Sequence, residues 1–227
     1  MRTGSFESMV DAFYIFKKDL IQEFKTRYAL NAIILFAVVT LTAVSFSIGV
    51  ISADDDILCA MFWIILFFSS MSGLSHIFVR EEETHTADTL KLVTCPTAVY
   101  LGKLLFNFML LLALEIILVP LYFGLMDFYV RHLPLFLIVL AIGSVGLAGG
   151  GTIVAAIIAK ASSRGALFTV LSFPVLLPLL ISGISATRIA VNARSFTEAS
   201  AELQTLTAYG VVVITVSILL FEFIWNE

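Results

Sequence analysis

Residues 29–51 read ALNAIILFAVVTLTAVSFSIGVI, and no charged residue interrupts them. A helix rises about 1.5 Å per residue and the hydrocarbon core of a bilayer is about 30 Å thick, so about 20 such residues cross it. Working outward, the pattern recurs. Apolar runs cover Ala29–Ile51, Ile57–Val79, Leu104–Met126, Leu133–Ala159, Ala166–Thr187 and Leu206–Trp225, with only short polar stretches between. Of the 227 residues 60% are hydrophobic, and the mean hydropathy is +1.04. Soluble domains hold about 45–50% apolar residues. The expected fold is all-α and membrane-integral: one domain over residues 1–227, six transmembrane helices and no large core outside the bilayer.

The charges give the orientation. Arg2, Lys17, Lys18, Lys25 and Arg27 precede the first span. Arg80, Lys91 and Lys103 fall between spans two and three, and Lys160 and Arg164 between spans four and five. The connections on the other side hold only Arg131, Arg188 and Arg194. Ten basic residues against three place both termini in the cytoplasm by the positive-inside rule. The acidic turn Asp54–Asp56 then lies outside. Cys59 and Cys95 fall near opposite faces, too far apart for the Cα separation of about 7 Å that a disulfide permits. The first 28 residues show no leader with an apolar core and a cleavage site.

Residues 6–28 carry Phe6, Val10, Phe13, Phe16, Leu20, Phe24 and Tyr28 at helical spacing, with Glu7, Asp11, Lys18, Gln22 and Lys25 on the other face. This predicts an amphipathic helix lying in the membrane interface, or packed on a partner protein. Residues 80–96 form the longest charged interruption, REEETHTADTLKLVTCP. Acids at its start, with Thr84 or Thr86 as N-cap, predict a short helix that Pro96 stops.

Inside the spans, four features stand out. Gly146 and Gly150, flanked by Gly143 and Gly149, give the fourth span a small-residue face for close helix packing, within the chain or in a homodimer. Pro174 and Pro178 predict a kink or break in the fifth. The polar stretch 188–204 suggests a short outer helix. Glu115 stands among leucines and isoleucines near the middle of the third span, where an ionised carboxylate costs roughly 2.5–3.5 kcal/mol or more. It must face the bundle interior, as a proton site or polar pathway lining, or as a packing hydrogen bond to Ser or Thr on a neighbouring span.

Catalytic chemistry is missing. There is no HExxH zinc spacing and no phosphate-binding Gly-Lys-Ser/Thr loop, and no basic patch exceeds two adjacent residues, which argues against nucleic acid as a partner. His132 stands alone on the outer side; such a lone histidine is a haem ligand in principle and, on the plainer reading, an ordinary polar residue at the interface. Any ATP-driven work requires another chain to bind the nucleotide.

Taken in order, these features resemble the membrane subunit of an ABC transporter, and more specifically the haem exporter protein B (CcmB) family of cytochrome c maturation. The likeness spans nearly the whole chain. It includes the charged amphipathic start with Phe16-Lys17-Lys18-Asp19-Leu20, the loop with Thr89-Leu90-Lys91-Leu92 before Pro96 and Leu101-Gly102-Lys103, and the double-proline run Phe173–Leu180. The family often has Gly before the Thr or Ser of the loop helix; this chain has Asp88. The resemblance implies an ABC-2-like permease in the inner (cytoplasmic) membrane, without catalytic residues. It implies a coupling helix over residues 81–93, where Glu83, Asp88, Lys91 and Leu92 meet a separate CcmA-like ATP-binding subunit. A CcmC-like haem-handling membrane protein is the second implied partner. ATP sits on the partner and haem belongs to the complex, with no cofactor assigned to this chain. The implied role couples ATP hydrolysis to haem delivery or to release of a haem-loaded chaperone. The residues leave three other readings: an ABC-2 exporter for a lipid or drug, an ATP-independent channel or secondary transporter centred on Glu115, and a scaffold.

Overall fold

The computed structural model describes residues 5–48, 54–83, 86–159, 164–192 and 196–226. Among them all regular structure is helical: α1 (Ser5–Thr26), α2 (Tyr28–Ile48), α3 (Asp55–Leu74), α4 (His76–Glu83), α5 (Ala87–Val93), α6 (Pro96–Met126), α7 (Leu133–Ile158), α8 (Arg164–Val191) and α9 (Ser200–Asn226). Six stretches are long and apolar enough to cross a membrane: Tyr28–Ser47, Asp55–Glu83, Pro96–Met126, Leu133–Ile158, Phe168–Val191 and Ser200–Trp225. They match the six apolar runs one for one.

The hub is α7, which packs against α8, α9, α6 and α3. Its glycines explain why. A methyl group on Gly143 would collide with the Trp63 ring, and one on Gly146 with Leu179. One on Gly150 would lie 2.6 Å from Leu176, and one on Gly149 2.8 Å from Ile214. Small residues let helix axes approach where no hydrophobic force drives association in lipid. Trp63 is wedged between Gly143 of α7 and Gly183 of α8, and its indole N–H donates to Thr187 Oγ1 at 2.8 Å. The small face of the fourth span is therefore used inside the chain.

At the end remote from the charged loop, the Tyr122 hydroxyl donates to the Leu58 carbonyl at 2.6 Å, and Arg188 Nε pairs with Asp56 at 2.7 Å. Asp127, in the left-handed region at φ 49°, closes α6. At the charged end Arg27, also left-handed at φ 52°, turns α1 into α2. Glu23 stabilises this corner by accepting the Leu30 backbone N–H of the first α2 turn at 2.9 Å.

Several expectations need correction. Residues 81–93 are not one helix: Glu81–Glu83 end α4, and α5 starts at Ala87. The Glu81 side chain is drawn inward by lysines, and the Thr86 N–H bonds back to the Glu81 carbonyl at 3.0 Å, closing α4 in a wide turn. Thr86 forms no side-chain cap on α5; its hydroxyl donates to the Glu81 carboxylate instead. Thr84 lies outside the described residues. Pro96 does not stop the loop helix. Thr94 is extended, as is Cys95, the residue before proline, and Pro96 opens α6, where a missing N–H costs nothing. The third helix thus begins eight residues before its apolar run. No separate outer helix follows residue 188 among the described residues: α8 continues to Val191, and residues 196–199 form a turn into α9. Nor does α8 break at its prolines; it is helical through both. The Tyr209 hydroxyl donates to the Val175 carbonyl between them, giving a backbone acceptor in this stretch a partner from α9.

Candidate functional site

Helix α1 has three faces rather than two. Val10, Phe13 and Phe24 are left uncovered by protein, as the amphipathic pattern leads one to expect. The face packed on α6 is a different one: Ala12, Ile15, Asp19 and Glu23, all buried and spaced by three or four residues. Gly102 of α6 makes this contact possible, since a methyl there would lie 2.8 Å from the Ala12 carbonyl oxygen and from Ile15 Cβ.

The two carboxylates on that buried face enter an unusual environment. Lys103 of α6 is only 1% exposed. Its Nζ lies 2.6 Å from Glu81 Oε1 and 2.9 Å from Asp19 Oδ2, and reaches the Ile77 carbonyl at 3.4 Å. The Asp19 contact is an ion pair without aligned hydrogen-bond geometry. Lys18 closes the group from the rim, 2.5 Å from Glu81 Oε1 and 3.4 Å from Asp19 Oδ1. Two ammonium groups thus meet two buried carboxylates, and the charges balance. Desolvating each ion costs several kcal/mol, which close pairing offsets only when all members are present. The cluster ties α1, α4 and α6 together, and Thr86 adds the start of α5.

α5 itself stands off the bundle. Ala87 is buried and Leu90 half-buried, which anchors one side. Leu92 is 89% exposed and Val93 62% exposed on the other. Glu83, at the end of α4, is exposed as well. Lys91 turns toward the bundle instead, its ammonium 5.8 Å from the centre of the Trp225 ring of α9. The side chain of Asp88 lies outside the described residues. Of the four residues expected to meet an ATPase, the structure therefore brings Glu83 and Leu92 to the surface and gives Lys91 an internal contact.

Glu115 is buried at 5% exposure and accepts a hydrogen bond from the Ser144 hydroxyl of α7. Two turns nearer the charged end, Asn107 Nδ2 donates to Thr152 Oγ1 at 2.8 Å across the same α6–α7 seam. Leu111 and Ala148, both buried, separate the two pairs, so no continuous polar path runs along this seam. His132 accepts the Leu135 N–H on Nδ1 at 3.3 Å and meets the Phe196 ring edge-on, which makes it the N-cap of α7. Among the described residues no group of three or more His, Cys, Asp or Glu side chains is placed to hold a metal ion.

This geometry, six spans preceded by an amphipathic helix and with a short charged helix at one end, meets its decisive comparison in the family described as CcmB protein, which matches residues 10–223. The chain belongs to the CcmB family. No curated protein matches it at a significant level. Membership makes it an ABC-2-like permease, a multi-pass inner-membrane protein and a membrane subunit of the haem-exporting ABC transporter of cytochrome c maturation. Its role there is that of a permease subunit, which fits a non-catalytic chain.

Sequence reasoning missed Asp19, Glu81 and Lys103 as one unit. A signal existed. Residues 12, 15, 19 and 23 form a second helical stripe in α1, hidden beneath the stronger aromatic one, and Lys103 sits at the entry of an apolar run with no acid near it in sequence.

Proposed function

We propose that a separate cytoplasmic ATPase subunit of the CcmA kind docks on α5 of this CcmB-family permease. Motion driven by ATP then passes through the Lys18–Asp19–Glu81–Lys103 cluster into α1 and α6. The observation that carries this reading is α5, with Leu92 and Val93 turned outward on a short helix whose base is tied by Thr86 to the buried cluster. An apolar pair presented this way suits insertion into a groove on a partner. Glu83 supplies charge at its edge, and Asp88 belongs to the same helix. Lys91 serves a different purpose, holding α5 against Trp225 and hence against α9.

The ten-to-three distribution of basic residues supports cytoplasmic termini and a cytoplasmic α5. Haem is handled at the level of the complex, with a CcmC-like membrane protein as the second partner. ATP hydrolysis by the first partner serves haem delivery or release of a haem-loaded chaperone. The hydrogen bond from Ser144 to Glu115 favours a packing role for that acid over a transport site.

The test is co-purification with the ATPase subunit in mild detergent, followed by ATPase assay of the complex. Leu92→Asp with Val93→Asp is expected to abolish recovery of the subunit while the permease stays folded. Charge reversal at Glu83 is expected to weaken recovery. If the double aspartate variant retains a bound and stimulated ATPase, docking does not occur through α5. Loss of c-type cytochromes on deletion separates this reading from an exporter of lipids or drugs.

A further inference from the structure

A cavity of about 370 Å³ opens beside the ionic cluster, between α1, the start of α2, the α3–α4 corner and α6. Its size falls in the range of small-ligand pockets, about 300–1,000 Å³. Ala29, Ile77, Val79 and Phe106 give it apolar walls. Asp19 and Glu81 also border it, and both are already matched by lysines. Glu23 is different. It lines the cavity, is only 5% exposed, and forms no ion pair with a described lysine or arginine. One of its oxygens accepts the Leu30 N–H, and the other has no hydrogen-bond partner among the described residues. His76 and Arg80 border the cavity as well, and a buried carboxylate with no cation in contact is costly. The Tyr28 ring lines the same cavity and is held by edge contact with His76, their centroids 5.0 Å apart.

A carboxylate and an aromatic ring in an apolar recess are the elements that recognise an ammonium ion: one supplies charge and hydrogen-bond acceptors, the other a negative π face. We propose that this cavity binds a primary ammonium group carried on an apolar chain, with Glu23 as counter-ion and Tyr28 as ring partner. Two sources share that chemistry, the headgroup of an aminophospholipid and a free alkylamine. The cavity lies under α1, whose uncovered aromatic face suits the headgroup layer, so either has a route to it. The proposal is independent of the ATPase docking reading.

The experiment uses the full chain in nanodiscs of equal phosphatidylethanolamine and phosphatidylglycerol, with native mass spectrometry of the lipid retained on stripping. Preferential retention of phosphatidylethanolamine is expected, falling about tenfold in Glu23→Gln, which keeps an acceptor for the Leu30 N–H and so preserves the corner. Tyr28→Leu, at an exposed position, is expected to lower retention about two- to fivefold. In parallel, octylamine is added to lipid-stripped protein and the melting temperature followed. Stabilisation of the wild type but not of Glu23→Gln, without lipid preference, identifies a free amine as the source. Equal retention of both lipids together with no octylamine effect overturns the proposal, as does a phosphatidylethanolamine preference or an octylamine stabilisation that persists unchanged in Glu23→Gln.

Discussion

Two regions of this molecule hold helices together by opposite means. The α7–α8–α9 core is joined by shape: glycines at 143, 146, 149 and 150 admit Trp63, Leu179, Ile214 and Leu176 into spaces a single methyl would fill. The α1–α4–α6 junction is joined by charge, the four ionised side chains Lys18, Asp19, Glu81 and Lys103. A shape-held contact has one good arrangement, because dispersion falls off within a fraction of an ångström. A charge-held contact keeps its attraction over longer distances and can be shared between partners, as Glu81 is between Lys18 and Lys103. The charge-held junction lies next to α5, where an ATPase would push. In the proposed function the shape-held one would be the body against which that motion is measured.

The largest effect should come from unbalancing the charges. Lys103→Met leaves Asp19 and Glu81 buried with only the rim lysine between them. Removing one partner of a buried pair costs about 3–5 kcal/mol, so the variant should be strongly destabilised in a detergent unfolding assay. Adding Asp19→Asn and Glu81→Gln removes the orphaned charges and should recover most of that stability, yet ATPase stimulation should stay low. Recovery of both stability and stimulation would mean that the junction transmits nothing and only packs.

Next comes the shape-held core. Gly143→Ala pushes a methyl into an indole ring already fixed by Gly183, 2.7 Å from the position of a Cβ there, and by Thr187. Overpacking of this kind costs about 1–3 kcal/mol. Gly124, where an added methyl would meet nothing within 4 Å, gives the matched control, and Gly124→Ala should change stability by less than about 0.5 kcal/mol. Similar melting temperatures for the two alanine variants would show that the core yields, and the contrast between the regions would lose its meaning.

A smaller effect belongs to the exposed pair at the far end. Arg188 and Asp56 are 44% and 49% exposed, and surface pairs contribute about 0–1 kcal/mol. Asp56→Asn should cost little, and that little should vanish in high salt, whereas the penalty of Lys103→Met should persist because salt screens a dry cluster poorly.

The two regions also differ in how far they could be read from sequence. The spans were legible because one number, the length of an apolar run, meets one constraint, the bilayer thickness. The glycine face of α7 was legible as a packing surface, but its partners were not. Which of two neighbouring helices a small residue meets depends on rotations that no local pattern records, and Trp63 in the second span carries no mark that it will lie on Gly143. The junction was least legible. Lys103 and Asp19 are far apart in sequence, and the aromatic stripe of α1 masked the weaker one beside it. The segment 81–93 looked like one helix because acids crowd its start, a threonine offers an N-cap and Pro96 follows its end. The break at Thr86, before α5, follows from Glu81 turning inward to ions contributed by α1 and α6, which is tertiary information.

The smallest expected change tests a buried acid that lies in neither region. Glu115 sits on the α6–α7 seam and takes a hydrogen bond from Ser144. Interhelical hydrogen bonds of this type average about 0.6 kcal/mol in a membrane. Glu115→Gln keeps an acceptor for Ser144 and removes the ionisable group, so both stability and ATPase stimulation should remain close to wild type. Ser144→Ala should then cost about the same small amount, because Ser144 also bonds its own helix at Leu140 and gives up no unique contact there. A transport role for Glu115 predicts the reverse pattern: Glu115→Gln would abolish activity in a stable protein, while Ser144→Ala would spare it. The pair of variants distinguishes an acid kept for its shape and acceptor from one kept for its proton, since only the second is sensitive to a change that leaves size and hydrogen bonding in place.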